Sequence, residues 1–269
     1  MNLDEKIINA LKDLNYEEAT EIQKKAIPIA LKKRDILAAA QSGTGKTAAF
    51  LLPILTEIME NKQPNVPILR ALILVPTREL ATQIAKAAED YAKYLDIEKL
   101  AIVGGVSTKD QEKKIAKGID ILVATSGRLM EHLKNKTVDL SSVTTVVIDE
   151  VDTLLDMGFL EDIEKILPNV GPHRQIMMFS ATMTQNVKKL AKEFLTDPVV
   201  IEVAQQRSAV KIIDQQIILV DEAKKAAALS YIIGSRNYSQ VLVFVNMKIE
   251  ADTLVEHLDR KSTRLNSSH

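Results

Sequence analysis

Short runs of consecutive apolar residues recur along the chain, separated by longer stretches in which apolar positions return every three or four residues. The runs are DILAAA (35–40), ILRALILV (68–75), KLAIV (99–103), DILVAT (120–125), TTVVID (144–149), QIMMFS (175–180) and VVIEV (199–203). Most are apolar at successive rather than alternate positions, as strands covered on both faces should be. Helical periods fill the stretches 47–60, 78–94, 107–117 and 184–195. Such alternation predicts an α/β fold: a doubly wound, mainly parallel sheet with helices on both faces. Ligands of these sheets bind at the carboxyl ends of the strands, so the residues standing there carry the functional question.

The pattern lapses in AQQRSAVK (204–211), read as a linker, and then restarts. Strands are expected at DQQIILV (214–220) and QVLVFVN (240–246), with helices over 222–234 and from 248. Two strands are too few for an independent α/β domain, so 212–260 is expected to be the truncated start of a second one. The polar, aperiodic KSTRLNSSH (261–269) is expected to be a non-native tail outside the fold. The first domain is accordingly drawn as 1–203.

Composition narrows the chemistry. Hydrophobic residues at 46% and charged residues at 26% are globular values. A net charge of −1 supplies no global field for a polyanion, so any such site must be a local patch. The absence of cysteine excludes disulfides and thiolate zinc sites, and His132, His173, His257 and His269 form no H-E-x-x-H pair. The start MNLDEKIINAL is acidic and helical rather than a leader, and no apolar run approaches the ~18 residues of a membrane span. These features predict a cytoplasmic protein with no membrane association.

Two strand ends suggest one site. AAAQSGTGKT (38–47) nearly fits the phosphate-loop pattern G-x-x-x-x-G-K-[ST], with Ala40 in place of the first glycine. Gly43 and Gly45 would let backbone N–H groups turn toward phosphates at a helix start. Lys46 could reach the β- and γ-phosphates, and the Thr47 hydroxyl could ligate Mg²⁺. A tight turn with a solvated lysine is the plainer alternative. VTTVVIDEVD ends a second strand in Asp149, which could hold Mg²⁺, and Glu150, which could take a proton from attacking water. A helix cap followed by an exposed glutamate is the plainer reading of that pair.

AQSGTGKT, PTREL (76–80), GG (104–105), TSGR (125–128), DEVD (149–152) followed by LLDMGF, and SAT (180–182) stand in one order along the chain. In this the sequence resembles the DEAD-box ATP-dependent RNA helicases, over residues 3 to about 260. The family's loop resembles A-x-[ST]-G-x-G-K-T, so Ala40 is its ordinary form. The resemblance implies a P-loop, RecA-like domain that hydrolyses ATP with Mg²⁺ and binds RNA. Residues 40–47, that is Ala40, Gln41, Ser42, Gly43, Thr44, Gly45, Lys46 and Thr47, would bind ATP, with Gln23 reading adenine. Thr47 and Asp149 would hold the metal, and Lys46, Asp149 and Glu150 would be catalytic. Pro76, Thr77, Arg78, Gly104, Gly105, Thr125, Gly127 and Arg128 match the segments that contact the RNA sugar-phosphate backbone. Asp152, Ser180 and Thr182 would couple ATP state to strand separation. Aromatic residues at 4%, with no basic-aromatic strip, agree with backbone recognition and weak sequence preference.

The chain departs from the family at Val151, at Ser126 where proline is usual, and in ATEIQ around Gln23. No aromatic stands ahead of Leu3, where the family stacks one near adenine. VLVFVNMK resembles the opening of the second domain, but no A-R-G-x-D or H-R-x-G-R-x-x-R follows in the 269 residues. The chain as given is therefore expected to be a monomer of impaired activity. Three rivals remain: a P-loop small-molecule kinase, a DNA-directed translocase, and a module that binds ATP or RNA without unwinding. PTREL, TSGR and SAT in order argue against the first. Asp152, standing where DNA-directed relatives carry histidine, argues against the second.

Overall fold

The computed structural model describes residues 3–61, 68–203, 214, 216–236 and 238–266. The chain divides into two compact units, Met1–Gln206 and Arg207–His269. The first opens with α1 (Glu5–Asp13) and α2 (Glu21–Ala30), then alternates strand and helix. In order these are β1 (Ile36–Ala39), α3 (Lys46–Asn61), β2 (Ala71–Val75), α4 (Arg78–Tyr91), β3 (Lys99–Ile102) and α5 (Thr108–Ile115). There follow β4 (Ile121–Thr125), α6 (Ser126–Lys134), β5 (Thr145–Ile148), α7 (Val151–Asp156) and α8 (Leu160–Ile166), and finally β6 (Gln175–Ser180), α9 (Gln185–Phe194) and β7 (Val199–Glu202).

The seven strands form one parallel sheet in the order β3-β4-β2-β5-β6-β1-β7. All seven runs marked by consecutive apolar residues are in it. The reason is visible in β2, every residue of which is buried. Leu72 and Leu74 join one core with Leu122, Ile148 and Met178, while Ile73 and Val75 join the opposite core with Phe50, Leu51 and Phe179. A strand with a core on each face cannot alternate. Helices begin promptly after strands because side chains cap them: Leu80 N–H donates to Thr77 Oγ1 at 3.2 Å and Val187 N–H to Thr184 Oγ1 at 3.3 Å.

The second unit contains a short 3-10 turn (Glu222–Lys224), α10 (Lys225–Ser235) and α11 (Lys248–Asn266). Here the two expected strands are corrected. Neither 216–220 nor 240–246 pairs as a strand among the described residues. Apolar pattern alone does not make a strand; the ladder does, and the described residues of this unit offer these segments no strand partner. Their apolar side chains stay in solvent, Phe244 at 86% and Leu219 at 93% exposure. The helix α11 runs through Asn266 and so takes in part of the expected tail. Arg260 to Asn266 contains no glycine or proline, so nothing local breaks the helix. The expected linker 204–211 lies outside the described residues.

Candidate active site

Because every strand runs the same way, all their carboxyl ends reach one edge of the sheet. That edge collects the loop 40–45 after β1, Pro76 to Arg78 after β2, and Val103 to Gly105 after β3. It also collects Thr125 to Arg128 at the end of β4, Asp149 to Asp152 after β5, and Ser180 to Thr182 at the end of β6. The chain leaves β1 for β2 across two strand positions and later returns to fill them, which makes β1 the crossover point where such sheets bind ligands.

Gly43 and Gly45 take φ of +81° and +94°, the left-handed backbone a curled loop needs. At Gly45 a Cβ would also lie 2.5 Å from Gln23 Nε2. The Thr44 hydroxyl closes the turn on Gln41 O at 2.7 Å. Lys46 then opens α3 with its side chain buried, and its ammonium stands 3.4 Å from Asp149 Oδ1. That Nζ has no hydrogen-bond partner among the described residues. Burial pushes the Asp149 carboxyl up from its ordinary range, against the pull of Lys46 and of the Glu150 N–H, which donates to Oδ1 at 2.9 Å. Glu150 itself is left-handed, with φ and ψ both 51°. A glutamate held there costs of order 1–3 kcal/mol, and such strain gathers at functional positions. Ser42 Oγ donates to Glu150 Oε1 at 3.4 Å, joining the loop to the β5 end. Together these residues line a cleft of about 370 Å³ that takes in Gln23, Thr47 and Tyr16.

The Gln23 amide is already engaged, accepting from Thr20 N–H at 3.0 Å and donating to Gly45 O at 3.1 Å. It ties α2 to the phosphate loop, and each end of the amide retains one further hydrogen-bonding position. Sequence reasoning missed Tyr16. It looked for an aromatic ahead of Leu3, whereas the chain turns at Asn15 (φ 58°) and brings Tyr16 into the cleft. The Tyr16 and Tyr91 hydroxyls meet at 3.1 Å with ring centroids 6.0 Å apart. An asparagine directly after an amphipathic helix, followed by an aromatic, was the available signal.

Beside the cleft, Asp152 Oδ2 accepts from Thr182 N–H at 2.9 Å and Thr182 Oγ1 at 2.8 Å. Ser180 Oγ accepts from Asp152 N–H at 3.3 Å and donates to Thr182 O at 2.8 Å. Burial raises the Asp152 carboxyl, but the hydrogen bonds from Thr182 lower it again and the group stays below its usual range.

Farther along the edge, Thr77 caps α4, and exposed Arg78 lies under Gly105, where a Cβ would sit 2.5 Å from its Nη1. Gly105 has φ +74°. Thr125 is half-buried and Gly127 is exposed. Arg128 turns inward instead, its side chain only 10% exposed. Its Nη1 donates to Thr108 Oγ1 at 2.8 Å and Gln111 Oε1 at 3.3 Å, and its Nε pairs with Glu131 at 3.2 Å. Ser126 is buried with its hydroxyl unpartnered among the described residues.

A glycine-turned loop leading into a lysine-headed helix, opposite a strand-end aspartate in an all-parallel sheet, defines a P-loop nucleoside-triphosphate-binding protein of RecA-like architecture. The comparisons carry this further. The family model for DEAD/DEAH box helicases matches residues 20–190. The chain is 36% identical over 268 residues to the DEAD-box ATP-dependent RNA helicase CshA of Bacillus subtilis, covering 100% of this chain and 53% of that protein. It is 38% identical over 270 residues to the RNA helicase CrhR of Synechocystis sp., covering 100% and 54%. The crystal structure of a DEAD box protein from the hyperthermophile Methanococcus jannaschii matches with a TM-score of 0.72 at 33% identity, over 97% of this chain and 69% of that one. The chain belongs to the DEAD/DEAH box helicase family. It spans about half the length of the curated relatives it matches.

Proposed function

We propose that this chain carries the ATP-binding domain of an ATP-dependent RNA helicase, hydrolysing ATP in the cleft and gripping an RNA strand along the rest of the sheet edge. The observation that carries the reading is the Lys46 ammonium, buried and without a hydrogen-bond partner, between a glycine-turned loop and Asp149. A buried ammonium whose charge is met by one carboxylate 3.4 Å away, and whose N–H groups lack acceptors among the described residues, is incompletely satisfied. A polyphosphate is a ligand that would complete it.

In this reading the loop N–H groups and the α3 N-terminus hold the phosphates, and Lys46 neutralises the β- and γ-oxygens. Thr47 and Asp149 would hold Mg²⁺, which when bound spreads the charge of the phosphate oxygens. Among the described residues no three carboxylates or histidines gather into a metal cage, so nucleotide oxygens would complete its shell. Glu150, set beside the loop by its left-handed backbone, orients the attacking water and accepts its proton. Gln23 and Tyr16 receive the base, the amide by pairing and the ring by its apolar face. Arg78, the Gly104–Gly105 turn and the helix starts at Thr77 and Thr125 meet RNA phosphates, which gives grip without sequence preference. The Asp152, Thr182 and Ser180 bonds link the nucleotide end of β5 to β6 and pass the state of the cleft onward. We place the protein in the cytoplasm as a monomer; no helix among the described residues is long and apolar enough to cross a membrane. Residues 212–260 are assigned to the start of the second helicase domain.

Titration of a fluorescent ATP analogue into the chain and into Lys46→Ala tests the reading, together with ATP competition by single-stranded RNA and DNA in a turnover assay. Binding that is lost in the variant, and turnover that responds to RNA rather than DNA, are expected. Unchanged affinity in Lys46→Ala would sink the assignment.

A further inference from the structure

The β3–β4 ladder ends at the pair Ile102 and Ala124. The segments proposed for RNA, 104–105 and 125–128, lie just past it, where no pairing between β3 and β4 sets their spacing. A buried polar network does. Gln111 Nε2 donates to Val103 O at 3.1 Å, and Gln111 Oε1 accepts from Arg128 Nη1 at 3.3 Å. A carbonyl cannot donate and a guanidinium cannot accept, so the amide's orientation is determined. His132 Nε2, 3.0 Å from the same Oε1, must then carry the ring proton. Its Nδ1 lies 2.7 Å from Thr137 Oγ1, which anchors the ring from behind.

We infer that Gln111 and His132 are positioning residues of the RNA face, holding the Val103–Gly105 turn and the Arg128 guanidinium at one fixed spacing. The inference rests on the RNA reading given above. Three observations carry it. Gln111 is 4% and His132 0% exposed, and burying two polar side chains in place of apolar ones is unfavourable unless their geometry matters. Gln111 is the only fully buried residue of α5, so an amide rather than a hydrocarbon anchors that helix. One end of the amide holds Val103, next to the Gly104–Gly105 turn, and the other holds Arg128 and the His132 ring. Arg128, held at Nη1 and Nε, keeps Nη2 without a partner among the described residues, and that group is what the network would present to a phosphate.

The test measures anisotropy of a labelled oligouridylate at several salt concentrations with the 269-residue chain, Gln111→Leu, His132→Leu and His132→Gln. Affinity for a fluorescent ATP analogue and the urea midpoint are recorded for each. Gln111→Leu should weaken RNA binding about tenfold or more, since its hydrogen bonds to Val103, His132 and the charged Arg128 are all lost. Its salt dependence should become shallower by about one phosphate contact, with nucleotide affinity within about twofold. His132→Leu should lose roughly threefold, and His132→Gln, which keeps a donor, should recover part of that. Unchanged RNA binding in folded Gln111→Leu overturns the inference. So does a parallel fall in RNA and nucleotide affinity that tracks lost stability, as a merely structural role predicts. If Gln111→Leu does not fold, His132→Leu is judged by the same two criteria. Nucleotide binding without any RNA binding by the unsubstituted chain at low salt would instead sink the RNA reading, and this inference with it.

Discussion

At the carboxyl end of β5, Lys46 and Asp149 are buried 3.4 Å apart and the ammonium lacks a hydrogen-bond partner. At the ends of β3 and β4, Gln111 and His132 are equally buried, yet both amide atoms and both ring nitrogens are engaged. The two places share a sheet edge and a low-dielectric setting and differ in completeness. A buried ammonium with an ion-pair partner but no hydrogen-bond acceptor is costly to keep, and a bound anion would lower that cost. A satisfied network has no such need; it stiffens what surrounds it. In the reading proposed above, the first arrangement serves a binding cleft and the second supports a binding surface.

The comparison can be broken most severely at Glu150. Glu150→Gln should leave ATP-analogue affinity intact while slowing hydrolysis by about 10²–10⁴, the usual worth of a positioned base. Equal rates in single-turnover measurements would remove that residue from the chemistry. Lys46→Ala comes next, losing a charge-assisted contact of roughly 1.5–3 kcal/mol, about tenfold to over a hundredfold in nucleotide affinity. Gly45→Ala forces a Cβ onto φ +94° and against Gln23, and should cost about 1–3 kcal/mol in urea unfolding. A midpoint equal to that of the unsubstituted chain would show that the loop relaxes.

Smaller effects sharpen the contrast. ATP should compete better than GTP for the cleft, and Gln23→Ala should narrow that preference by roughly threefold to tenfold, the loss of a hydrogen bond or two. Equal competition by both nucleotides in the unsubstituted chain would refute base reading by the amide. The pH dependence of the network is the subtlest. Burial, then the Arg128 charge, hold the His132 imidazole below its ordinary 6.5. Between that lowered value and 6.5 the unfolded chain binds more protons than the folded one, so stability is full above the window and declines as pH falls through it. The urea midpoint should therefore drop more between about pH 7.5 and 5.5 in the unsubstituted chain than in His132→Leu. Identical drops would show that the ring is as free as it is in the unfolded chain.

Much of this was legible in advance because its causes are local. Runs such as ALILV are the pattern of strands with a core on each face, and G-T-G-K-T curls by its own glycines. The carboxylates of DEVD also follow a strand by adjacency alone. What was illegible depends on distance along the chain. Tyr16 reaches the cleft only through the turn at Asn15 and the packing of α1 on α4. The inward turn of Arg128 needs Gln111, on another helix. The left-handed backbone of Glu150 cannot be read from a residue type that normally avoids it.

The sequence by itself determined the seven strands, their order along the chain, and the phosphate loop, because hydrophobic period and glycine geometry act over a few residues. Only the tertiary structure decided which polar groups would be left incomplete and which would close on one another. Satisfying a buried donor takes an acceptor from elsewhere in the fold, and the sheet order determines which one arrives. The same dependence explains the second unit, where VLVFV has the pattern of a strand and, among the described residues, no strand to pair with.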